Sequence, residues 1–88
     1  MSTWTKRLQA GESFTVNKSM NAMRVAVMVL AASSGTMTGN YKVAGAASDT
    51  LTLPEGSGFT LPADSPAAPL DGITFGCDAG TVNLVFTF

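Results

Sequence analysis

Apolar side chains fall at every second position in one short run of this chain after another, and a turn signal cuts each run before it reaches helical length. Thr81 to Phe88 is the clearest case: Val82, Leu84, Phe86 and Phe88 alternate with Thr81, Asn83, Val85 and Thr87. A period of two sends neighbouring side chains to opposite faces of a strand, so the pattern predicts half-buried β-strands. Glu12 to Val16 follows the same rule, with Phe14 and Val16 on one face. Thr3 to Ala10 reads as a first strand with Trp4 and Leu8 turned inward, and Gly11-Glu12 reads as the turn after it.

Later runs end on punctuation. Thr50 to Leu53 stops at Pro54, and Gly58 to Leu61 stops at Pro62. Proline has no N–H to give a ladder. Glu55 to Gly58 is the turn between them, and the shared Thr-Leu-Pro of the two runs reads as the echo of a hairpin. Pro62 to Pro69 is an exposed connection or an edge. Ile73 and Phe75 are in phase, Asp78-Ala79-Gly80 is a turn, and the strands on either side are expected to pair as a C-terminal hairpin.

The middle of the first half reads two ways. Met20, Met23, Val27, Leu30 and Ala31 are spaced as on a helix, with Asn17 or Ser19 as a cap. Val25, Val27 and Val29 alternate, and β-branched residues favour strands. We read Met23 to Ala31 as a central strand buried on both faces, with a helix within Ser19 to Leu30 as the alternative. Ser33-Ser34-Gly35 is a turn, Thr36 to Thr38 leads to a second turn at Gly39-Asn40, Tyr41 to Val43 is a short strand, and Gly45 to Ser48 is a loop. The expectation is an all-β fold: a small single-domain β-sandwich or jelly-roll-like barrel of about seven to eight short strands. It occupies 1–88, with 1–10 as an N-terminal arm or an edge strand. The expected core is Phe14, Val16, Val25, Val27, Val29, Val43, Leu51, Leu53, Phe59, Leu61, Ile73, Phe75, Val82, Leu84 and Phe86.

Composition narrows the chemistry. The chain contains no histidine, the commonest general base and metal ligand. Its single cysteine, Cys77, has no intrachain partner for a disulfide and no imidazole to activate it, and is expected to be a small buried hydrophobe. Lys18 and Ser19 are adjacent, which is not a catalytic geometry. Asp64, Asp71 and Asp78 recur at even spacing; calcium binding is one reading, but the nearby glycines make turn chemistry the better one. No enzyme and no cofactor is expected.

All five basic residues (Lys6, Arg7, Lys18, Arg24, Lys42) lie in the first half, and five of the six acids (Asp49, Glu55, Asp64, Asp71, Asp78) lie in the second. The plain reading is a solvated surface; the sharper one is complementary faces that meet between subunits. The bases lack the clustering with aromatics of a nucleic-acid site. Val25 to Ala32 is too short to span a membrane as a helix, and it sits behind structured sequence where a signal peptide would not. No nucleic-acid or membrane partner is expected. The amphipathic rings Trp4 and Tyr41 are the candidate interface residues.

Leu8-Gln9-Ala10-Gly11-Glu12-Ser13-Phe14-Thr15-Val16, Val25 to Leu30, Ser34-Gly35-Thr36, Thr50 to Gly56, Phe59-Thr60-Leu61-Pro62, Leu70-Asp71-Gly72-Ile73-Thr74 and Gly80 to Val85 form a strand-and-turn grammar over most of the chain. It resembles that of small β-sandwich or jelly-roll virion proteins of tailed bacteriophages. The resemblance implies a capsid decoration (cement) protein, or a small head–tail or tail accessory protein. It implies assembly in the host cytoplasm, residence in the virion, a homo-oligomer with a trimer favoured, and the major capsid protein or another virion protein as partner. A glycan-binding or adhesion module is the reading from a different class.

Overall fold

The structure is a computed structural model that describes residues 2–39, 49–61 and 69–88. Its strands in chain order are β1 (Thr3–Gln9), β2 (Ser13–Val16), β3 (Arg24–Val29), β4 (Ser34–Gly39), β5 (Asp49–Leu53), β6 (Gly58–Leu61), β7 (Ile73–Ala79) and β8 (Thr81–Thr87). They form two antiparallel four-stranded sheets, β1-β8-β3-β6 and β2-β7-β4-β5, packed face to face. The fold is all-β, as the alternation predicts.

The pairing follows one rule. β1 pairs with β8, β2 with β7, β3 with β6 and β4 with β5. The chain is thus doubled back on itself like one long hairpin and wound up, and β3–β8 and β4–β7 contacts join the pairs into sheets. Eight strands wound in this way are a jelly roll. Four short connections lie at one end of the sandwich, and each crosses from one sheet to the other. They are the arches at 10–12, 30–33, 54–57 and 80, tied together by Gly11 N–H to the Cys77 carbonyl (2.8 Å), Gly56 N–H to the Val29 carbonyl (2.9 Å) and Leu30 N–H to the Thr81 carbonyl (3.3 Å). Each holds one residue with a left-handed backbone: Gly11, Ala32, Gly56 and Gly80.

Several expectations are corrected. β7 and β8 form no hairpin: the turn at Gly80 is an arch, and the two strands lie in opposite sheets. Ile73, Phe75 and Cys77 therefore face Val82, Leu84 and Phe86 across the core, and all six are buried. The two Thr-Leu-Pro runs are likewise separated, β5 in one sheet and β6 in the other. The turn expected at Ser33-Ser34-Gly35 falls earlier, and Ser34 to Gly39 is a full strand inside the second sheet. Gly35 suits that strand because a Cβ there would run into the Gly76 carbonyl of β7.

β3 lies inside its sheet, between β8 and β6, but it is not buried on both faces. Val25, Val27 and Val29 point into the core, while Met28 on the outer face is 46% exposed. The helical spacing before it yields only a 3₁₀ turn, Lys18–Met20, ended by Asn21 in the left-handed region.

Leu8, Val16, Ala22, Met37 and Leu53 complete the buried core. Phe14, Phe59 and Leu61 are partly buried against it, and Leu51, expected inside, is 42% exposed because β5 is an edge strand. Tyr41 to Val43, Gly45 to Ser48 and most of Pro62 to Pro69 lie outside the described residues.

Candidate functional site

β1 and β2 are the edge strands of their two sheets and are joined by a short arch, so their edges lie along one side of the sandwich. On that side the alternation of β1 points Trp4, Lys6 and Leu8 inward. Leu8 is fully buried, Lys6 half-buried and Trp4 43% exposed. Trp4 lies opposite Phe86 in the β1–β8 register. Its ring stacks on Phe86 at 5.7 Å between centroids and 24° between planes, and it leans on Phe14 of β2 at 5.5 Å. Phe14 and Phe86 are in turn 5.6 Å apart. The indole is therefore seated on two aromatic rings that span both sheets, with much of its surface open to solvent. An edge-to-face or stacked ring pair contributes about 0.5–1.5 kcal/mol beyond area burial, so the ring is held in place before any partner arrives.

Of the two candidate interface residues, only Trp4 can be placed, since Tyr41 lies outside the described residues. The bed of Phe14 and Phe86 escaped the sequence reading, which assigned both to the core. Their inward phase was visible; their meeting with Trp4 depends on β1 pairing with the last strand.

The other candidates resolve into structural roles. Cys77 is buried, and its thiol faces the carbonyl oxygens of Ala79 and Gly80, each at 3.4 Å. The Ser19 hydroxyl donates to Asn17 Oδ1 within the 3₁₀ turn. Asp71 Oδ1 accepts the Lys18 N–H at 3.0 Å, pinning that turn to the start of β7. Asp78 is exposed at the end of β7, and Asp64 lies outside the described residues. Among the described residues no group of three or more His, Cys, Asp or Glu side chains could hold a metal ion.

The outer faces of the sheets differ sharply. On β2-β7-β4-β5 the register aligns Thr15, Thr74, Thr38 and Thr50 in one row and Ser13, Gly76, Thr36 and Thr52 in the next. Hydroxyls pair across strands, Thr15 with Thr74 at 3.0 Å and Thr38 with Thr50 at 3.3 Å. Cross-strand pairs of this kind add about 0.2–1 kcal/mol each to the sheet. On β1-β8-β3-β6 the row Arg7, Asn83, Met28, Gly58 carries a guanidinium and a thioether on either side of an amide. Asn83 Oδ1 is buried there with no hydrogen-bond partner among the described residues. Leu30, just beyond the end of β3, is 43% exposed.

No family model, curated protein or solved structure matches this chain.

Proposed function

We propose that this protein is a structural subunit that binds a large particle, most concretely a decoration (cement) protein on the head of a tailed bacteriophage. A head–tail or tail accessory role is the nearest variant. The observation that carries the reading is Trp4, a half-exposed indole fixed on Phe14 and Phe86 at the open side of a jelly roll. Binding hot spots are enriched in tryptophan, and a ring already held in position loses little entropy on docking. Jelly rolls occur in viral capsid and lectin domains alike, so the fold supports the reading by analogy alone. Modest contacts, repeated over many copies of an oligomer on one lattice, add through multivalency. The partner in this reading is the major capsid protein or another virion protein, with assembly in the host cytoplasm.

The test is made on particles. Virions are purified from a host propagating the genome that encodes this chain, and the chain is quantified against the most abundant particle protein. A fixed, high copy ratio is expected. Particles lacking the gene should rupture more readily on heating, and adding the purified protein should restore them; its Trp4→Ala variant should bind them at least about tenfold more weakly, a typical hot-spot loss. Absence of the chain from particles overturns the reading and leaves the adhesion alternative, which a glycan screen of the wild type and Trp4→Ala would then address.

A further inference from the structure

Among the described residues β1 is the longest edge strand, seven residues against four in β2, five in β5 and four in β6. Backbone N–H and C=O groups of successive residues point alternately to the two sides of an antiparallel strand. The Ser2 carbonyl accepts the Phe88 N–H at 3.0 Å, which sets the phase turned toward β8. Gln9 has the opposite phase: its N–H donates to Glu12 Oε1 at 2.7 Å, and its carbonyl accepts the Glu12 N–H at 2.9 Å. Thr3, Thr5 and Arg7 share the phase of Gln9, so their backbone groups face away from β8, toward a side where no strand pairs among the described residues. The edge is thus closed by Glu12 at its arch end and open from Thr3 to Arg7. The inward side chains along this open stretch are Trp4 and Lys6. Trp4 is 43% exposed on its bed of Phe14 and Phe86. Lys6 is half-buried, and its ammonium makes no ion pair among the described residues.

We infer that β1 takes up an extended segment of a partner protein as a further antiparallel strand, and that this segment carries a carboxylate opposite Lys6 and an apolar side chain opposite Trp4. The inference rests on the particle-binding reading and gives the partner's docking segment its chemistry. An added strand bonds to the open N–H and C=O groups of Thr3, Thr5 and Arg7, and it sends every second side chain to the side of Trp4 and Lys6. Side chains directly opposite each other have Cβ atoms about 4.5–5.5 Å apart. Docking takes water from Lys6, and an ammonium buried without a counter-charge is costly. A segment with aspartate or glutamate at that position meets the charge, and one without it is disfavoured. In the antiparallel sense the carboxylate comes two residues before the apolar side chain, which then lies against the indole. The β1 strand of a second copy does not qualify. Its charges are Lys6 and Arg7, both positive, and like charges facing each other across strands repel. A sugar acid would meet the ammonium and the ring, but it would leave the row of backbone groups unpaired; a strand meets all three.

The test is an NMR titration of the full chain, labelled with nitrogen-15, against short synthetic peptides with blocked ends. The first alternates threonine with valine and has glutamate in place of its central valine; the second has lysine there. The glutamate peptide is expected to shift the amides of Thr3, Thr5 and Arg7 and the Trp4 indole N–H, and the lysine peptide to bind at least about tenfold more weakly. Lys6→Glu should reverse that preference. If the amide spectrum shows that this variant is unfolded, Lys6→Met replaces it, and the two peptides should then bind within about threefold of each other. Three results overturn the inference: no binding of the glutamate peptide, equal binding of both peptides to the wild type, or shifts that fall away from β1. Glucuronate is titrated in parallel. If it moves the Trp4 signal while the glutamate peptide does not, the site takes a sugar acid and the added strand is overturned. A failed titration beside a particle-binding loss in Trp4→Ala leaves the proposed function standing with another mode of docking. Conversely, a chain absent from particles that still selects the glutamate peptide overturns the proposed function and leaves the strand site standing.

Discussion

Among the four arches, only the one at 30–33 places a non-glycine residue, Ala32, in the left-handed region, at φ 58°. That conformation costs an L-residue roughly 1–2 kcal/mol, partly offset by the roughly 0.5–1 kcal/mol of chain entropy that glycine loses on folding. Ala32→Gly should therefore stabilise the protein by about 0.5 kcal/mol. Gly80→Ala should do the opposite and by more. Gly80 has φ 71°, and a Cβ there would strike the Ser33 side chain, whose Oγ accepts the Thr81 N–H at 2.9 Å. A loss of about 2 kcal/mol or more is expected, from the backbone penalty plus overpacking. Urea titration checks both, read as a shift of midpoint at constant slope. Asn83 is the other residue at odds with its place. Its Oδ1 is buried in the middle of β8 without a partner among the described residues, and asparagine is a poor strand former. Asn83→Thr should raise the unfolding free energy by about 1 kcal/mol. An unchanged or lower midpoint would mean that the amide is satisfied in solution.

At the scale of the strand, β1 shows how an edge is guarded. It is seven residues long, in register with β8 from Thr3↔Thr87 to Gln9↔Thr81, and its other side pairs with no strand among the described residues. Lys6 points to the core side of that edge between Trp4 and Leu8, and an inward-pointing charge is one of the devices that deter edge-to-edge association. Lys6→Val should leave the fold intact, since valine suits a strand. It should also speed aggregation at 37 °C several-fold, read by light scattering; an unchanged rate would remove the guarding role from Lys6.

The strands themselves were legible because period-two alternation is a local property. Gly58–Leu61 falls where the glycine and proline placed it, and Thr81–Thr87 where the alternation did. The arches were not legible. A hairpin and a cross-sheet arch both join two alternating strands by a tight turn, and they differ only in whether the strands bond to each other or face each other across the core. Asp78-Ala79-Gly80 was compatible with either. The same ambiguity hid the seat of Trp4, whose neighbours Phe14 and Phe86 are supplied by the second strand and the last. Met28 was misplaced for a different reason: a run of apolar residues looks buried on both faces whether or not anything covers its outer side.

At the scale of the whole molecule, the pairing rule sets the folding problem. Of the strand pairs among the described residues, only β4–β5 joins neighbours in sequence, while β1–β8, β2–β7 and β3–β8 join strands far apart. Loop-closure entropy must be met before such contacts form, so folding belongs in the millisecond-to-second range of non-local β-proteins. The chain ends supply the means to test this, because the Phe88 N–H bonds to the Ser2 carbonyl at 3.0 Å. A short glycine-serine linker can therefore join them, with new ends opened in the exposed arch between β5 and β6. In that permutant β8 runs directly into β1 and their pairing becomes local. The β2–β7 and β3–β8 pairs draw closer along the chain, while β3–β6 and β4–β7 move apart, so mean contact separation falls. The native contacts are otherwise kept, apart from those of the opened arch. Refolding should therefore accelerate by roughly tenfold in stopped-flow chevrons, with a smaller change in equilibrium stability. If the β1–β8 pair forms only after the folding barrier, the permutant will instead refold at the wild-type rate, and topology will not be what limits this chain.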